Sequence, residues 1–65
     1  MTLTSKELEI IRLMADGYSN KMIAHAQVGY QESSIETVKA RIYTKMKVRN
    51  GCECVAVAIR NKLIS

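Results

Sequence analysis

Proline is absent from this 65-residue chain, histidine occurs once, cysteine twice and glycine three times. Each scarcity excludes something. A single histidine without clustered carboxylates offers little to line a recessed catalytic pocket, and a chain this short buries only about 60% of its unfolded surface, so no enzyme is expected. Cys52 and Cys54 are too few for a disulfide framework and lack two further ligands at zinc-finger spacing. Two residues apart on a helix, they point nearly opposite ways and read as small apolar side chains in reduced form. No metal or cofactor is expected. His25 has neither a second ligand nor a carboxylate at helical spacing and is assigned no role. No stretch approaches the roughly 18 apolar residues of a membrane span, and the start Met1-Thr2-Leu3-Thr4-Ser5-Lys6-Glu7 lacks the basic and apolar regions of a signal peptide. The expected compartment is the cytoplasm, with no membrane partner.

Apolar residues make up 48% of the chain and charged residues 25%, ordinary usage for a chain that folds. The charge is uneven. Between Thr37 and Cys52 lie Lys39, Arg41, Lys45, Lys47 and Arg49 with no acidic residue; removing these five charges from the total of +4 leaves the remainder at −1. A local cationic strip of this kind aims a molecule at a polyanion.

With no proline to break the chain, its punctuation falls to Gly17, Gly29 and Gly51, each read as a cap or turn between helical segments. Thr4 with Glu7 forms a capping box ahead of Ile10, Ile11 and Met14, and this first helix should end near Asp16-Gly17. Ser19 caps a short second helix from Asn20 to about Gln27, with Ile23 and Ala24 turned inward. A third begins at Ser33 or Ser34, where Ser33 and Glu36 match another capping box. Ile35, Val38, Ile42 and Met46 then repeat at i, i+3, i+7 and i+11. At 1.5 Å per residue, Ser34 to Lys47 spans roughly 20 Å, enough to lie in a major groove. With the stripe buried, Glu36, Thr37, Ala40, Arg41, Tyr43, Thr44 and Lys47 face away, and Lys39 sits at the margin. The fourth segment, Cys52 to about Asn61, carries seven apolar residues in ten and is apolar on more than one face. In so small a domain such a helix is expected to be covered by a second subunit.

A short helix, a turn and a longer basic helix read as a helix-turn-helix. The string Leu3-Thr4-x-Lys6-Glu7-x-Glu9-Ile10-Ile11, then Ala15-x-Gly17-x-Ser19-Asn20-Lys21-x-Ile23-Ala24, resembles the first half of the LuxR/GerE-type DNA-binding domain. Ser34-x-x-Thr37-Val38-Lys39 resembles its recognition-helix motif. Lys45-Met46-x-Val48, Glu53-Cys54-Val55-x-x-Ala58 and Leu63-Ile64 resemble its closing pattern. The resemblance covers nearly the whole chain. It implies an all-α fold, a four-helix bundle with a three-helix, wingless helix-turn-helix core and a C-terminal dimerisation helix, as one domain over 1–65.

The resemblance also implies site residues. Lys39, Ala40 and Tyr43 fall near base edges, and Ser19, Asn20, Lys21, Ser34 and Thr37 near phosphates. Exposed lysines and hydroxyls suit phosphate oxygens, and the short Ala40 allows close approach to a thymine methyl. Arg41, grouped with the phosphate contacts, also has the geometry for guanine. Val55, Ala56 and Ile59 are the expected dimer contacts. The expected function is a transcriptional regulator binding double-stranded DNA as a homodimer. Without room for a sensing domain, its activity would be set by abundance or by a partner. The rival expectation is a protein that silences a larger LuxR-type regulator by pairing through the last helix.

Several positions depart from the family pattern. Ile23 to Ser34 is four residues longer than the family's Ile-Ala-x-x-Leu-x-x-Ser, so Gln27 to Ser33 is expected to form an enlarged turn with Gly29 at positive φ and Val28 or Tyr30 replacing the leucine. Lys47 and Lys62 stand where the family usually has Gly, Gly51 where it usually has Arg, and Arg41 where it often has His. Lys47 in place of glycine predicts an altered exit from the third helix and a shifted last helix.

Overall fold

The computed structural model describes residues 3–26 and 31–64, and its helices follow local chemistry closely. α1 spans Ser5–Ala15 and opens on the expected capping box: Thr4 Oγ1 accepts from the Glu7 N–H at 3.1 Å, and Glu7 Oε1 accepts from the Thr4 N–H at 2.8 Å. α2 spans Asn20–Ala26, with Ser19 Oγ accepting from the Met22 N–H at 3.2 Å. α3 spans Glu32–Met46 and α4 spans Gly51–Arg60. Among the described residues no helix is long and apolar enough to cross a membrane.

α1 packs on α2 and α4, and α3 packs on α2 and α4. Their shared core holds Ile10 and Ile11 from α1, Ile23 from α2, the full Ile35, Val38, Ile42 and Met46 stripe of α3, Cys54 and Ala58 from α4, and Ile64. Met14 and Ala24, also expected inside, are half-buried against it. The two cysteines are free and diverge as helical spacing requires, Cys54 buried and Cys52 exposed.

The start of α3 differs from expectation. Its N-cap is Gln31, whose carbonyl accepts from the N–H groups of Ser34 and Ile35 and whose side chain makes no capping hydrogen bond. Ser33 and Ser34 therefore lie inside the first turn, and the Ser33–Glu36 capping box does not form. The enlarged turn predicted around Gly29, Val28 and Tyr30 lies largely outside the described residues.

α4 likewise starts one residue early. Asn50 is its cap, with Oδ1 accepting from the Glu53 N–H at 2.8 Å, and Gly51 is the first helical residue rather than a turn.

Three helices end in one way. At Gly17 (φ +86°), Lys47 (φ +58°) and Lys62 (φ +58°) the chain turns left-handed. In each case the N–H of that residue bonds three residues back and the next N–H five residues back: to Met14 and Leu13, to Thr44 and Tyr43, and to Ile59 and Ala58. The altered exit predicted from the missing glycine at position 47 does not occur, because Lys47 itself adopts the glycine conformation, at a cost of about 1 kcal/mol.

Candidate nucleic-acid interface

With the Ile35, Val38, Ile42, Met46 stripe inward, α3 turns Glu36, Thr37, Ala40, Arg41, Thr44 and Lys47 to solvent. Lys39 and Tyr43 flank this face and are half-buried. Both line a groove of about 480 Å³ with Met14 and Ala15 from the end of α1, Tyr18 just beyond it, and Gly51, Cys52 and Val55 from the start of α4. A lysine placed so packs its aliphatic stem along the wall and sends only its ammonium toward a ligand. Burial pushes the Tyr43 hydroxyl above its ordinary pKa, so at neutral pH it carries its proton and can donate.

The predicted phosphate contacts come from three places. Ser19 and Lys21, at the start of α2, are exposed, and Asn20 between them is half-buried with its Oδ1 buried and unpartnered. Ser34 is half-buried in the first turn of α3. Thr37 is exposed, with its hydroxyl donating to the Ser33 carbonyl at 3.4 Å. That long bond is weak, so the proton can swing to a phosphate oxygen at little cost. Arg41 is exposed beside Thr37 and Ala40.

Two of the five cations in the strip are otherwise engaged. Lys45 turns back to α1, where its Nζ lies 2.8 Å from Glu7 Oε1 and 3.0 Å from Oε2. Burial raises the Glu7 carboxyl, but the hydrogen bonds and charge of Lys45 and the Thr4 backbone N–H outweigh it and leave the pKa below its ordinary value. Arg49 is 90% exposed and loosely paired with Glu53 at 3.9 Å. The cations of the open α3 face thus reduce to Arg41 and Lys47, with Lys39 at its margin. The Glu7–Lys45 clip escapes sequence reasoning because 38 residues separate its members and neither departs from a surface pattern.

The predicted dimer contacts share the outer side of α4. Ile59 is 52% exposed, Ala56 is exposed and Val55 half-buried, while Cys54 and Ala58 fill the core side.

Against known proteins, residues 1–58 match the family model described as bacterial regulatory proteins, luxR family. The chain is 37% identical over 59 residues to the transcriptional regulatory protein DegU of Brevibacillus brevis, covering 91% of this chain and 25% of that protein. It is 38% identical over 58 residues to the uncharacterized response regulatory protein YgeK of Escherichia coli K12, covering 89% and 39% respectively. With the oxygen regulatory protein NreC of Staphylococcus epidermidis it shares 37% identity over 62 residues, 95% of this chain and 28% of that protein. The chain therefore spans roughly a quarter to two-fifths of these relatives. The four helices of the described residues, the buried α3 stripe and the matched sequence agree: the chain belongs to the LuxR family of bacterial regulatory proteins and is a helix-turn-helix DNA-binding domain.

Proposed function

We propose that this domain regulates transcription by binding specific duplex sites as a homodimer, with α3 in the major groove and α4 against its copy. The observation that carries the reading is the division of α3 into a buried apolar stripe and an open face bearing Ala40, Arg41 and Lys47, with Lys39 at its margin. Fifteen residues of helix, roughly 22 Å, match the reach of a recognition helix. Lys39, Ala40 and Tyr43 meet base edges. Ser19, Asn20, Lys21, Ser34, Thr37 and Arg41 hold phosphates on either side, and Val55, Ala56 and Ile59 form the dimer contact. Two such helices related by a two-fold axis would address half-sites about one helical turn apart.

A fluorescence-anisotropy titration at two salt concentrations tests this. Log affinity should fall linearly with log salt, and Lys39→Ala should weaken binding and relax the base preference. Absence of binding to any duplex at low salt would overturn the proposal. It would favour instead a protein that pairs through α4 with a larger LuxR-type regulator and silences it; the uncovered apolar side of α4 supports pairing in either case.

A further inference from the structure

The open face of α3 carries one residue that DNA docking leaves unexplained. Glu36 is exposed midway between Ser33 and Ala40, and the capping role its spacing promised is absent because Gln31 caps the helix. Its carboxylate makes no ion pair or hydrogen bond with Lys39, one turn on, or with any other described residue. It also lies beyond the first helical turn, where a negative charge would be favoured by the helix dipole. Against a sugar–phosphate backbone such a group only repels, so its place on this face calls for a donor.

We propose that Glu36 is a specificity-determining residue that reads cytosine in the major groove; this rests on the docking of α3 proposed above. Four base edges meet a carboxylate differently. Guanine offers two acceptors, N7 and O6, and thymine the acceptor O4, all repulsive. Adenine sets its N6 amine beside the acceptor N7. Cytosine alone presents a donor, N4–H₂, with no acceptor next to it. The guanine paired with that cytosine turns its two acceptors to the same groove, where Lys39 supplies a cation. Glu36 and Lys39 on one helix thus complement the two halves of a C·G pair and give the helix a direction along it.

Selection of duplexes from a random pool by the whole chain, repeated with Glu36→Ala and Glu36→Gln, tests the assignment. Alanine at an exposed helical position keeps the fold. The unchanged protein should enrich cytosine at one position of each half-site. Glu36→Ala should erase that preference, a roughly five- to hundred-fold loss of discrimination, while tightening binding to random duplex. Glu36→Gln should move the preference toward adenine, which glutamine pairs through N6 and N7. If both variants keep the same preference at every position and merely bind all duplexes more tightly, Glu36 is a repulsive bystander and the inference falls alone. If the unchanged protein enriches nothing, the DNA reading falls with it.

Discussion

α3 and α4 rest on the same core, and each leaves one side open, but the open sides obey different physics. The face of α3 is charged or small: Glu36, Thr37, Ala40, Arg41, Thr44 and Lys47. That of α4 is mainly apolar, Cys52, Val55, Ala56 and Ile59, with the exposed Arg60 at its edge. A partner of the first is drawn by long-range Coulomb attraction that salt screens, with a Debye length of about 8 Å at physiological ionic strength. A partner of the second is held by removal of apolar area from water and is indifferent to salt but sensitive to concentration. Two helices of similar burial therefore predict two binding events separable by solution conditions.

The largest effect should strike both faces together. Ile42 is fully buried in the middle of α3, so Ile42→Ala should cost about 3 kcal/mol in chemical denaturation, enough to leave a small domain largely unfolded and both surfaces lost. Ile59→Asp separates them. The residue is half exposed, so stability should change by no more than about 0.5 kcal/mol. Sedimentation should show a monomer, and affinity for a duplex with two half-sites should drop roughly 100-fold through lost avidity. A variant that still binds as a dimer would place the pairing surface elsewhere.

Next in size is the clip beneath the reading face. Glu7 is 5% exposed and Lys45 has a side chain 35% exposed, so Glu7→Gln should cost about 1–2 kcal/mol at neutral pH, with solvent screening limiting the loss. Since the folded carboxyl has the lower pKa, its contribution is complete above the unfolded value of about 4.3 and fades as pH falls through the folded one. Thermal melts between pH 7 and pH 3 should therefore converge for the two proteins at the acid end. The smallest effect compares Lys47 with Lys62. Glycine at either left-handed position should raise stability by about 0.5–1 kcal/mol, read as a melting temperature a few degrees higher. Only Lys47→Gly should also lower the salt slope of DNA binding, by about one.

Much of this was legible in the chain because it is governed by neighbours. The Thr4–Glu7 box, the Ser19 cap and the Ile35 to Met46 stripe each depend on side chains within a turn or two, and each is found as spaced. What escaped depends on distance or on competition between equal local options. Ser33 and Ser34 were the expected starts for α3, yet the helix begins before both, with the Gln31 carbonyl closing the first turn. Lys45 belongs to the basic strip in sequence and to α1 in space. Lys47 and Lys62 were read by what glycine would do there, yet the helix exit depends on two backbone hydrogen bonds that any residue can make if it tolerates the dihedral angle.

Gly51 has a further consequence. A methyl group at its α-carbon would come within 3.3 Å of both the Met14 terminal methyl and the Tyr43 phenol oxygen. The start of α4 is thus in steric register with the Tyr43 ring of α3. Any side chain introduced there must move its neighbours by a few tenths of an ångström. Under the proposed docking of α3, a substitution at this one site would reach a base-facing ring from the opposite helix, without altering any residue of α3 itself.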